Sequence, residues 1–283
     1  MTADSSVSPP TVSPSTVSPS TVSPSTVSPS TVSPSTEATS SQPLYADSET
    51  ASDDYARRFA GDAGAWLLAV QERCLEELLT RYPNPPRDLT VLDVGGGHGQ
   101  IAPMLVAHGY AVTVVGSGPA AQPRLTALVE RGACGFDTAD LLKLPYPDQA
   151  FDIVVCFRLL PHIDAWGELV RELCRVARRG VIIDYPTTQS FNFLTPLLFG
   201  AKKRAEGNTR TYRLFRHHEV TREFARNGFR RGGRIGEFFF PMVVHRLLKA
   251  PRLSRLLESP PRLLGLDTAF GSPCVFNFFR HER

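Results

Sequence analysis

Short apolar, β-branched runs at 89–94, 111–115, 134–138, 153–157 and 181–184 predict strands. They are nearly continuous rather than alternating, the pattern of strands covered on both faces of a parallel sheet. Between them the apolar positions change rhythm. Leu67, Val70, Cys74 and Leu78 mark one face of a helix predicted over 65–81, after a break at 61–64 and before Pro83-Asn84-Pro85-Pro86. Helices are predicted over 101–108 and 123–131 as well. Asp164 is expected to cap another, with an apolar stripe of Trp166, Leu169, Val170, Leu173 and Val176, ended by Arg178, Arg179 and Gly180. A helix over 219–227 closed by Gly228, a sixth strand over 229–240 and a last strand over 274–280 complete the series. Strands alternating with helices predict an α/β fold.

Three stretches fall outside that alternation. Val-Ser-Pro recurs at 7, 12, 17, 22, 27 and 32. Proline in each repeat, with almost no charge and no large apolar group, predicts a disordered tail over 1–42, partly polyproline II, ahead of one domain over 43–283. Its Ser-Pro pairs are possible phosphorylation sites or a plain spacer. The second stretch, 186–216, is apolar from Phe191 to Phe199 and basic from Lys202 to Arg216, and reads as an insertion over an acceptor pocket. In the third, 241–271, Val244, Leu247, Leu248, Leu253, Leu256 and Leu257 alternate with Arg246, Lys249, Arg252 and Arg255. Such basic amphipathic helices suit a lid over an apolar acceptor, peripheral membrane contact, or both.

The candidate chemistry is concentrated where the first strand ends, at Asp93-Val94-Gly95-Gly96-Gly97-His98-Gly99. Glycines let the backbone bend sharply there and admit a ligand where a Cβ would block it, with a helix N-terminus following. A dinucleotide fingerprint needs a third glycine at 100, where Gln100 stands, and a phosphate loop needs a Gly-Lys-Ser/Thr that the chain lacks.

Asp93-x-Gly95-x-Gly97-x-Gly99 resembles motif I of the class I S-adenosylmethionine-dependent methyltransferases. A second block in the expected order, Leu144-Pro145-Tyr146-Pro147-Asp148 through Phe151-Asp152, is also similar to that family. The resemblance, tight over 91–184, implies a Rossmann-like sheet of seven strands, mostly parallel, with helices on both faces and an antiparallel last strand. It implies S-adenosylmethionine as methyl donor, no metal, and cofactor contacts at Asp93, Gly95, Gly97 and Gly99. Asp140 and Leu141 then stand at the adenine, Phe157 and Arg158 at the methionyl part, and Tyr55 and Arg58 in an N-terminal lid. The family's ribose-binding acid after the second strand is replaced by Gly116 and Ser117. Those two can offer only a neutral hydrogen bond, so ribose is held differently. For a base, the titratable candidates are His162, Tyr185 and the His217-His218 pair.

The charge is uneven. Residues 1–200 carry 13 Lys and Arg against 21 Asp and Glu, whereas 201–283 carry 18 against 7. That basic layer suits an anionic substrate or lipid surface. Nucleic acid is disfavoured as acceptor, because Arg158-Leu159-Leu160-Pro161 stands where amino-directed enzymes carry an Asn/Asp-Pro-Pro-aromatic signature. Five scattered cysteines without C-x-x-C spacing fit a reducing cytoplasm. The expected activity is methyl transfer to a small, apolar or lipid-like acceptor. The alternatives are a quinone- or polyprenyl-directed C-methyltransferase and a catalytically silent protein of the same fold.

Overall fold

β1 (Thr90–Val94) opens the sheet, and each strand that follows it, β2 (Ala111–Gly116), β3 (Cys134–Thr138), β4 (Phe151–Cys156) and β5 (Ala177–Tyr185), is laid down parallel to its neighbour. The order across the sheet is β3-β2-β1-β4-β5-β7-β6. β7 (Cys274–Arg280) runs antiparallel to both β5 and β6 (Phe229–Gly236). The expected sheet, with its antiparallel last strand, is what forms. This computed structural model describes residues 57, 59–96, 99–119, 122–190 and 213–281, all within the compact unit Ser41–Arg283. The repeat tail, Tyr55, Arg58, Gly97 and most of the 186–216 insertion lie outside the described residues.

Helices cover both faces. α1 (Gly61–Leu79), α2 (Ile101–Ala107) and α3 (Gln122–Glu130) share one apolar cluster with Val91, Val114, Ile153, Val155 and Ile182. α4 (Trp166–Val176) and α5 (His217–Arg226) pack on the other face with Leu92, Val154, Val181, Ile183, Phe276 and Phe278. Successive residues of β1, β4 and β5 thus enter opposite cores, as the period of a strand requires. Each fully buried branched side chain contributes about 1.5–3 kcal/mol to that arrangement. At the amino edge Asp152 accepts from the Thr90 amide and hydroxyl and pairs with Arg178 and Arg179, joining β1, β4 and β5 there.

Several boundaries differ from expectation. α1 begins at Gly61 with no break at 61–64, because a Cβ on Gly64 would lie 2.1 Å from the Phe59 carbonyl. Glycine there admits the incoming chain. The cap position of α4 is Ala165 without a side-chain bond, so Asp164 is not its cap. Arg178, Arg179 and Gly180 are in β5 rather than at the end of α4, since Asp152 draws both arginines into the sheet. β6 stops at Gly236, and Glu237 turns inward, donating its amide to Pro273 O. α6 (Met242–Leu248), α7 (Pro251–Leu263) and α8 (Leu266–Phe270) fill the space before β7.

Candidate functional site

The ends of β1, β2, β3, β4 and β5 all meet at the carboxyl edge, where open α/β sheets hold ligands. Asp93, paired in register with Val114 and Val155, sits one residue before the end of β1. Its side chain is 2% exposed and its Oδ2 makes no hydrogen bond. Burial pushes this carboxyl up to about 7.

The turn after it requires glycine for two separate reasons. Gly95 and Gly99 hold φ of +74° and +59°, the left-handed region. Gly96 is needed for space. A Cβ there would stand 2.5 Å from Val114 Cγ1 and 2.7 Å from Asp93 Oδ2. The Gly95 amide donates to Val115 O, which brings the turn against the end of β2, where Gly116 O accepts from Ala139. Gly116 and the buried Ser117 therefore lie beside the turn, and Asp140, whose Oδ1 accepts from the Leu142 amide, follows β3 next to them. The Leu141 side chain is buried in the core, which leaves the backbone as its contribution to this edge.

Across the turn stands Arg158, at the end of β4, itself at φ +58°. Its amide donates to Asp184 Oδ1 at 2.5 Å and its Nη2 to Gln71 Oε1 at 2.7 Å, while Gln71 Nε2 reaches Asp184 Oδ2 at 3.4 Å. The guanidinium lies 4.2 Å from the centre of the Phe59 ring. Its Nη1, buried, makes no hydrogen bond. Asp93, Gly95, Gly96, Phe157, Arg158 and Gln71 together line a narrow cleft. Beneath it Glu237, 1% exposed, is pushed up to about 8 by burial and by the Asp184 carboxylate. Burial also raises Asp184, to about 6, against the opposing pull of Arg158.

The other titratable candidates are not among the residues that line this cleft. His162 is half-buried in a 3-10 turn, Leu160–His162, just after β4. Tyr185 is fully buried, stacked on Phe276, with its hydroxyl 3.0 Å from His217 Nδ1. It faces the α5 side of the sheet. His217 borders a larger cavity of about 640 Å³ lined by Thr188, Gln189, Arg216, Arg231 and Arg234. Burial and those last two arginines lower the His217 imidazole to about 4. Among the described residues no group of three His, Cys, Asp or Glu could hold a metal ion.

Gln71, Asp184 and Glu237 were not among the residues the sequence singled out. A signal exists for Gln71 and for Glu237. Gln71 is four residues after Leu67 on the apolar face of α1, and Glu237 is a lone acid in the run from Phe229 to Phe240.

A family model described as a methyltransferase domain matches residues 92–183. Ajmaline N-methyltransferase of Rauvolfia serpentina is 31% identical over 121 residues, 39% of this chain and 41% of that protein. Demethylmenaquinone methyltransferase of Deinococcus radiodurans is 31% identical over 139 residues, 47% of this chain and 52% of that protein. The chain thus spans about half or less of the length of these relatives. Among solved structures, magnesium protoporphyrin IX methyltransferase from Synechocystis, with bound SAH, superposes with a TM-score of 0.55 at 17% identity, covering 81% of this chain and 94% of that one. That likeness concerns the fold. Residues 92–183 match the methyltransferase-domain family, and the sheet around them has the fold of a methyltransferase solved with bound SAH.

Proposed function

We propose that the chain is an S-adenosylmethionine-dependent methyltransferase acting on a small-molecule acceptor with an apolar or lipid-like body. One observation carries this. Asp93 Oδ2 and Arg158 Nη1 are both buried, both lack a hydrogen-bond partner, and both belong to residues lining the same cleft. A carboxylate oxygen and a guanidinium nitrogen without partners are costly to bury, and they complement the ammonium and carboxylate of an amino-acid group. The methionyl end of the cofactor has that chemistry.

In this reading Asp93 takes the ammonium, Arg158 takes the carboxylate, and Gly95, Gly97 and Gly99 keep the turn open. Gly116 and Ser117 hold the ribose by neutral hydrogen bonds, while Asp140 and the Leu141 amide border the adenine. Tyr55 and Arg58, outside the described residues, keep their expected role as cofactor contacts. When bound, the cofactor supplies an electrophilic methyl on sulfur. Phe157 and Arg158 exclude water beside it and align the acceptor, which is where most of the acceleration arises. His162, in the turn beyond Arg158, is the base for acceptors that must lose a proton. Tyr185 supports His217 from the core and stands second to it.

A quinone ring carbon is the second reading of the acceptor. The acceptor in the name of the Deinococcus relative favours it, as do the leucines exposed on α6 and α7. Five free, buried thiols support a cytoplasmic setting. The experiment supplies labelled cofactor and separate lipid and aqueous extract fractions to wild type and to Asp93→Ala. Label entering the lipid fraction with wild type alone supports the reading. Label in neither fraction, with S-adenosylhomocysteine still bound, favours the silent protein.

A further inference from the structure

The layer over 242–270 is built inside out. α7 turns Ser254, Glu258 and Pro261 inward and leaves Leu253, Leu256 and Leu263 exposed, and Leu247 of α6 is 78% exposed. The leucine face, read from sequence as a lid, a membrane contact or both, looks away from the protein. Glu258 explains the inversion. Its carboxylate accepts from the amides of Phe239 and Phe240 and lies 2.8 Å from His245 Nε2, so three interior partners fix which side of the helix faces in. His245 and Phe238 in turn pack on Trp66 of α1.

The charges are sorted the same way. Glu258 and Asp267 are the only acids in 242–270, and both are buried. Lys249, Arg252, Arg255 and Arg262 are exposed. Every large apolar side chain that is exposed among the described residues lies between Val243 and Phe270. The outer face thus offers leucines set among cations, with no exposed carboxylate.

We infer that this face docks on an anionic phospholipid bilayer. Leucines enter the boundary of the acyl chains while the arginines and Lys249 meet headgroup phosphates. A second copy fits the surface less well, because a two-fold contact would set the patch against itself and oppose like charges. The inference does not depend on methyl transfer. Taken with that reading, it places the acceptor's route: the Arg246 guanidinium lies 5.3 Å from the centre of the Phe59 ring, which also packs under Arg158. A bilayer-borne acceptor would arrive beside the cleft. No helix among the described residues is long and apolar enough to cross a membrane, so contact is at the surface.

The test sediments the full chain with vesicles of phosphatidylcholine alone, or with about a third phosphatidylglycerol. Two double variants at exposed positions accompany it, Leu247→Asp with Leu256→Asp and Arg252→Glu with Arg255→Glu. The inference predicts binding to the anionic vesicles alone, weakened by salt. Each double variant loses about tenfold or more of that binding, with unchanged thermal melting and unchanged binding of S-adenosylhomocysteine. Binding to neither vesicle, equal binding to both, or a concentration-dependent dimer abolished by the leucine variants without vesicle binding would each overturn it.

Discussion

The backbone amide of Arg158 donates to Asp184 Oδ1 at 2.5 Å, so a carboxylate ending β5 fixes a left-handed turn ending β4. A non-glycine residue at φ +58° costs about 1–3 kcal/mol and persists only when its surroundings hold it. Asp184→Ala removes that hold and leaves the Arg158 amide without its acceptor. We expect a stability loss of about 2 kcal/mol by urea denaturation and weaker binding of S-adenosylhomocysteine by calorimetry. Arg158→Gly, which relaxes the turn, should keep most of the stability while still losing the affinity.

Gly96→Ala tests the space around Asp93. The added methyl meets Val114 Cγ1 at 2.5 Å and Asp93 Oδ2 at 2.7 Å, so one of them must move. Overpacking of this kind costs about 1–3 kcal/mol, and displacing the carboxylate weakens cofactor binding further. Gly118→Ala is the control. Nothing lies within 4 Å of a Cβ at that position, and its melting temperature should stay close to wild type.

Asp93 also sets a pH dependence. Its carboxyl is raised by burial to about 7, well above the ordinary 3.8. The charged form receives the ammonium, so affinity for S-adenosylhomocysteine should rise with pH up to about 7, by at most about tenfold per unit, and level off above. Folding responds with the opposite sign. The folded protein holds this proton more tightly than the unfolded chain, so the contribution is fully present below the ordinary carboxyl value and is lost as pH rises toward 7. Calorimetry at pH 6 in two buffers of different ionisation enthalpy should detect proton release on binding, and little at pH 8, where Asp93 is already charged and the ligand's ammonium is still protonated.

Glu237 extends the same argument. Burial and the neighbouring Asp184 carboxylate raise it to about 8, so it is largely protonated at neutral pH. Ionising it costs stability on the order of 1 kcal/mol between pH 7 and pH 9. Glu237→Gln should match wild type near pH 4, below the ordinary carboxyl value, and be the more stable of the two at pH 9, as read from denaturation midpoints. A variant whose midpoint tracks wild type at both values would place the proton elsewhere.

The strands and the glycine turn were legible because strands covered on both faces read as unbroken apolar runs, and because left-handed turns and close approaches select glycine. Phe151-Asp152 was legible as a block, though its acid serves the amino edge by holding Arg178 and Arg179. Those two arginines look like helix-terminal cations until the partner is seen, a contact remote in sequence. Gln71, Asp184 and Glu237 converge from α1, β5 and the end of β6, so no local spacing connects them. The orientation of α6 and α7 was not legible for a related reason, so a lid and a membrane contact both stood as expectations. Periodicity finds an apolar face but not which way it points, and here three partners of Glu258 decide it.

The most direct measurement is titration of S-adenosylhomocysteine into wild type and Asp93→Asn by calorimetry at pH 8. Asparagine keeps the shape and removes the charge. We predict one site in wild type and a loss of at least about thirtyfold in the variant, the scale of a buried charge-assisted hydrogen bond. No heat with folded wild type, or equal affinity in the two proteins, would contradict the assignment of the Asp93 cleft to the cofactor.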